Sequence, residues 1–229
     1  MVNFKKLREM VEVKGNGNVI IKEIQVSSFI RLHISSKGTV KIEQSNEEKV
    51  VIETDENLAE YFYVQNSGRT LYVSFESKFR NPIFTRCEIT VFLRQIDTLN
   101  IVNYGDVISA GPIILISSLD IKIQSIGNTQ LYLEVPSIKL FNQSIGDVYF
   151  KGKCESVQIK NQGQGNLYTR ELIAQELTIK NMASEGNVEL YATKNISINH
   201  YGTGTVYYWG NSVLKDVKQY GTGLISHKE

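Results

Sequence analysis

The sequence predicts an all-β protein built as a β-solenoid with coils of about 19 residues, and three observations carry that expectation. The 229 residues include 26 Ile and 20 Val but only 5 Ala, a bias toward β-branched side chains that strands accept and helices resist. Apolar and polar residues alternate in short stretches, the period of two that marks a half-buried strand. A Gly, then a small or polar residue, then an apolar or β-branched one recurs at a near-constant step.

That series runs Gly105-Asp106-Val107, Gly127-Asn128-Thr129, Gly146-Asp147-Val148, Gly165-Asn166-Leu167, Gly186-Asn187-Val188 and Gly204-Thr205-Val206. Gly223-Leu224-Ile225 closes it, and successive steps are 22, 19, 19, 21, 18 and 19 residues. Apolar pairs precede the Gly, as Ile138 and Leu140, Val157 and Ile159, Ile196 and Ile198. The Gly itself marks a bend with positive φ or a close approach of neighbouring coils.

Residues 97–229 are therefore assigned to the regular solenoid, 13–96 to a less regular N-terminal β domain and 1–12 to an N-terminal extension. In the N-terminal part, Gly17-Asn18-Val19 and Gly38-Thr39-Val40 fit the same template. Lys49 to Asp55 reads as a strand, and Leu58 to Val64 as a helical turn running into one. Asn66-Ser67-Gly68-Arg69 reads as a hairpin turn into the alternating strand Leu71 to Phe75. Cys87 to Leu93 alternates again. The boundary near 94–99 has no linker composition, so the two parts are expected to share or abut one core.

Four residues before the Gly stand Asn142, Asn161, His200 and Gln219, with Asn181 one residue out of step. Alternation points these inward, where polar side chains can stack coil on coil and satisfy backbone groups at the bends. A polar catalytic groove is the competing reading, and the ladder is favoured because Asn does little acid–base chemistry. His200 falls to the ladder by the same reasoning.

Composition excludes several classes. A net charge of +1 does not advertise nucleic acid as a partner. The longest apolar stretch, Ile113 to Ile116, is far short of the roughly 20 residues of a transmembrane helix. Three scattered histidines, His33, His200 and His227, argue against zinc, and no cofactor or metal is expected. Cys87 and Cys154 read as two buried free thiols, with a disulfide between them as the alternative. No signal peptide is visible near the N-terminus.

Glycoside cleavage needs two carboxylates about 5 to 10 Å apart across a groove. Asp106 and Asp147 share the station after the Gly, but Asn128 stands between them, and Asp or Asn is the usual choice at such a turn. No G-x-S-x-G elbow, HExxH pair or P-loop occurs, so no catalytic residue is assigned. Aromatic residues point to a surface with a purpose. Three residues after the Gly stand Tyr149, Tyr168 and Tyr207, with Trp209 nearby. Stacked at the coil spacing of about 4.8 Å, they would form a ladder that binds sugar rings or anchors a protein. Sheet stabilisation by neighbouring aromatics is the competing reading. Lys151, Arg170 and Lys228 flank this strip.

The N-terminal run Gly15 to Ile20, then Phe29 to Ile34, Gly38 to Ile42, Val50 to Leu58 and Leu71 to Phe75 resembles the head GIN-domain family of auto-transporter adhesins. The likeness extends from about Val13 to the last glycine repeat. It implies a right-handed β-helix or related solenoid exported to the cell envelope, and it brings no catalytic residues. A cytoplasmic location is the alternative, since no leader is visible. The function expected is thus a non-enzymatic envelope or cell-surface protein binding a glycan or surface protein. A scaffold self-assembling through solenoid ends, hence a homo-oligomer, and a polysaccharide-cleaving β-helix are the alternatives. An exposed Tyr strip would favour the first, an uncapped apolar end coil the second, and paired acids in a groove the third.

Overall fold

The computed structural model describes residues 13–79, 81–182 and 184–229; the expected extension over 1–12 lies outside them. The strands are β1 (Val19–Gln25), β2 (Arg31–Ser35), β3 (Thr39–Gln44), β4 (Lys49–Asp55), β5 (Phe62–Ser67), β6 (Thr70–Phe75), β7 (Cys87–Leu93), β8 (Thr98–Ile101) and β9 (Val107–Ile114). They continue with β10 (Leu119–Ile123), β11 (Thr129–Asn142), β12 (Val148–Asn161), β13 (Leu167–Asn181), β14 (Val188–His200), β15 (Val206–Trp209), β16 (Val213–Gln219) and β17 (Ile225–His227). A 3-10 helix, Glu56–Tyr61, leads into β5, in line with a helical turn running into a strand over Leu58 to Val64.

These strands build a solenoid of about seven turns with coils of about 19 residues. Each coil has two walls. The first wall runs β6, β2, β8, β10, then the second halves of β11 to β14, then β16. The second runs β7, β3, β9, then the first halves of β11 to β14, then β15 and β17. All these pairings are parallel. Antiparallel strands occur at the N-terminal end, where β4 pairs β7, β1 pairs β4, and the β5–β6 hairpin closes the first wall.

Chain order and stacking order part company there. The coil made by β2 and β3 sits between the β6 and β7 coil and the β8 and β9 coil. One continuous apolar interior runs from Phe29 through Leu99 and Ile159 to Val206, all essentially buried.

The glycine column settles which reason holds for the repeated Gly. A Cβ on Gly105 would strike the Gly38 carbonyl, and one on each later glycine of the series the carbonyl of the glycine one coil below. Close approach of stacked bends excludes a side chain, and positive φ occurs elsewhere, at Gly17, Gly68, Gly152 and Gly210. Gly17 therefore departs from the template. It lies in the left-handed region with open space around it, ahead of an antiparallel strand. Its N–H donates to buried Asp55 at 2.9 Å, as Thr85 N–H does at 2.8 Å. Burial opposes ionisation of Asp55, but these amides outweigh it and hold the carboxyl below its ordinary value.

The residue after each Gly forms a second column. Asp106 Oδ1 accepts from Asn128 N–H at 2.8 Å, Asn128 Oδ1 from Asp147 N–H at 2.9 Å, and Asp147 Oδ1 from Asn166 N–H at 2.8 Å. Asn166 Oδ1 and Asn187 Oδ1 continue to Asn187 and Thr205 N–H. A short acceptor at this station ties each bend to the next, which is why Asp and Asn recur there.

Candidate functional site

The second wall carries the tyrosines. Alternation about the core residues Val148, Leu167 and Val206 turns the next residue outward in each coil. Tyr149 and Tyr168 are in register and stack with ring centroids 4.6 Å apart and planes 18° apart. The next coil places Glu189 beside Tyr168, and Tyr207 follows beyond it. The expected three-tyrosine ladder is thus a stacked pair, an acid and a separate tyrosine. Tyr207 instead neighbours Trp209, centroids 6.3 Å apart, and the Arg170 guanidinium lies 4.3 Å over the Trp209 ring.

Around the pair the wall forms a shallow concavity of about 820 Å³, lined among others by Tyr132, Tyr149, Lys151, Tyr168, Arg170 and Glu189. Lys151 sits 5.0 Å over the Tyr132 ring, and Lys228 5.0 Å over Tyr207. Tyr149 Oη donates to Asp147 Oδ2 at 3.0 Å. Burial first, then that hydrogen bond and the Asp147 charge, push the Tyr149 phenol up to about 12. Burial and the charges of Asp147 and Glu189 raise Tyr168. Both phenols are therefore neutral donors at neutral pH. Because the two rings cover one another, a ligand meets their edges, hydroxyls and outer faces.

The polar residues before the Gly lie inside the coil. Asn142 Nδ2 donates to Asn161 Oδ1 at 2.8 Å, and Asn161 Nδ2 to Asn181 Oδ1 at 2.8 Å. Asn181 Nδ2 donates to His200 Nδ1 at 3.0 Å, which also faces Gly202 N–H at 3.4 Å. Two donors on Nδ1 put the imidazole proton on Nε2. Burial lowers the His200 pKa, so the ring is neutral. Asn181 is in register with Asn161 despite its extra residue, which the following turn absorbs. Gln219 is in register with His200 but exposed in the outermost coil.

Sequence reasoning missed three features. Glu189 occupies the tyrosine station and is visible at Gly186 plus three. Asn103 is buried and donates to the Gly38 and Gly105 carbonyls at 2.9 and 2.8 Å, with only a Gly two residues on to signal it. The Arg170–Trp209 pair has no sequence signal, because it forms across coils.

Asp147 meets this site by accepting from Tyr149, whereas Asp106, Cys87 and Cys154 stand outside the lining of the concavity. Asp106 and Asp147 each hold the bend of the next coil. Cys87 and Cys154 are free, and burial pushes both thiols up to about 12, with the Asp55 charge adding to Cys87. Among the described residues no three His, Cys, Asp or Glu side chains converge as a metal site. No described helix is long and apolar enough to cross a membrane.

Solved structures share this architecture. A putative adhesin from Bacteroides fragilis is 20% identical, with a TM-score of 0.87 over 94% of this chain and 100% of its own. A putative lipid binding protein from Parabacteroides distasonis is 20% identical, TM-score 0.73, over 94% of this chain and 100% of that one. A putative adhesin from Parabacteroides merdae is 19% identical, TM-score 0.64, over 95% and 99%. No curated protein matches the chain. The family model described as putative auto-transporter adhesin, head GIN domain, matches residues 28–212, most of the solenoid and its N-terminal coils, and the chain belongs to that family.

Proposed function

We propose that the protein is a non-enzymatic binding protein of the cell envelope, presenting its second wall to a glycan or surface-protein ligand. The observation that carries this reading is the concavity around the stacked Tyr149 and Tyr168, with Lys151, Arg170 and Glu189 in its lining. Aromatic edges, neutral phenols and both signs of charge suit a polar ligand with apolar ring faces, as a sugar offers. Trp209 and Tyr207 extend the surface on the far side of Glu189. Family membership supports the adhesin class.

A glycan array probed with the purified protein tests this. The Tyr149→Ala/Tyr168→Ala variant is expected to lose at least about thirtyfold in affinity for a bound glycan, the weight of one aromatic anchor. Its melting transition should stay cooperative. Undiminished binding by a folded variant would sink the site.

A second reading, association of two copies through the solenoid end, is favoured by one observation. Among the described residues β16 pairs only with β14, and β17 only with β15. Val213, Leu214, Val217 and Leu224 of this outermost coil are all exposed, despite the charges of Lys215, Asp216 and Lys218 between them. An apolar coil with free strand edges invites pairing. Light scattering on the same sample should then give twice the monomer mass, reverting to monomer in Leu214→Glu/Val217→Lys. A monomer at all concentrations removes this reading.

A further inference from the structure

The first wall, on the other side of the solenoid, carries a column of cations. In register, one residue per coil, stand Lys122, Phe141, Lys160 and Lys180. Lys139 lies in the adjacent outward column, level with Phe141's coil. All four lysines are exposed, and among the described residues none has a carboxylate within ion-pair distance. Phe141 is only half-buried, flanked by Lys122 Nζ at 5.9 Å and Lys160 Nζ at 5.0 Å from its ring centre. Together these side chains line a shallow trough of about 670 Å³.

A chain with net charge +1 has nearly as many carboxylates as cations, and elsewhere several lysines are paired, as Lys41, Lys49 and Lys153 are. Here, among the described residues, Asp120, in register with Lys139, is the one acid lining the trough. Lys160 and Lys180 stand in register on adjacent coils, about 4.8 Å apart along the stack, and repel one another, and the four cations outnumber the single carboxylate of Asp120. From Lys122 to Lys180 the column spans three coils, about 14 Å. That length matches a linear ligand lying along the stack with its own charges repeating at about one coil.

We propose that this trough binds an acidic polysaccharide, a chain of uronate or sulfated sugars lying along the solenoid axis. Its anions pair with Lys122, Lys139, Lys160 and Lys180 while a sugar ring rests on Phe141. A carboxylate on each ring repeats over a length close to one coil. Duplex nucleic acid is the poorer fit, because its denser charge calls for a broad basic field, and a net charge of +1 does not supply one. The site is independent of the tyrosine wall, so either can fail without the other.

Binding of polygalacturonate, with neutral dextran as control, is measured by calorimetry at low and at physiological salt. The expected result is salt-weakened binding to polygalacturonate alone. Lys160→Gln/Lys180→Gln should weaken it about fivefold to tenfold, the sum of two exposed ion pairs. Lys122→Gln/Lys139→Gln should do the same independently, and Tyr149→Ala/Tyr168→Ala should leave it unchanged. All four lysines are exposed, so these variants keep the wild-type melting temperature. No binding at low salt overturns the proposal. So does equal loss in the tyrosine variant, or tighter binding to a single-stranded oligonucleotide or to anionic lipid vesicles than to polygalacturonate.

Discussion

Gly165→Ala is expected to destabilise the protein by about 3 kcal/mol or more, the upper range for overpacking against an unyielding neighbour. The new methyl would overlap the Gly146 carbonyl and approach the Ile145 carbonyl oxygen at 2.6 Å. Both are backbone, pinned by the bonds that hold each bend to the next, such as Gln164 N–H to Ser144 O at 2.9 Å. Neither can step aside without parting two coils. Gly111→Ala is the control, since a Cβ there meets nothing within 4 Å, and it should shift stability by less than about 0.5 kcal/mol. Chemical denaturation of both variants checks the contrast. Equal stability would mean that the bends slide freely, and the glycine column would lose its explanation.

Asn161→Leu is expected to cost about 3 kcal/mol through a different mechanism. Asn161 is fully buried and is the middle rung, accepting from Asn142 and donating to Asn181. Leucine keeps much of the volume and removes both rung bonds, together with the longer one that Asn161 Oδ1 accepts from Gly163 N–H at 3.4 Å. It strands the Asn142 amide with its donor buried, while Asn181 Oδ1 keeps the Ser184 hydroxyl at 2.7 Å. A buried donor without a partner costs about 1–3 kcal/mol beyond the lost bond itself. Asn142→Leu/Asn161→Leu together should therefore cost less than the sum of the two single variants. Thermal unfolding of the cycle reads this coupling, and strict additivity would show that the rungs act independently.

Much of the architecture was legible because a solenoid repeats its local rule. Inward residues such as Val148, Leu167 and Val206 follow from alternation, and the ladder stations from counting back from each Gly. Counting also fails where the turn length changes. Asn181 is one residue out of step in the sequence and in step in space, because hydrogen bonding between coils sets the register while the bend absorbs the surplus. Tyr207 shows the converse. Its station is correct, but Glu189 separates it from Tyr168, so equal spacing does not make a continuous ladder.

The candidate surfaces were only partly legible. Tyr149 and Tyr168 could be placed on one wall by period alone, whereas their ring overlap and the Arg170 cover on Trp209 depend on side-chain conformation. The lysine column stands five residues before the Gly at Lys122 and Lys160 and six before it at Lys180, with Phe141 at the station between. Its lack of carboxylate partners, which makes it a site, depends on where every acid of the folded chain lies.

The sequence by itself determined the all-β class, the coil length, the inward residues, the polar ladder and the glycine bend. These arise from contacts between equivalent positions of adjacent coils, so a period in the chain becomes a period in space. Only the tertiary structure decided that β2 and β3 lie between β6 and β7 on one side and β8 and β9 on the other, and that β1 and β4 run antiparallel. That order is set by pairing across long stretches of chain, where competing partners present the same alternating face. Local pattern cannot rank them; closure of the common core around Leu32, Leu71 and Leu99 does.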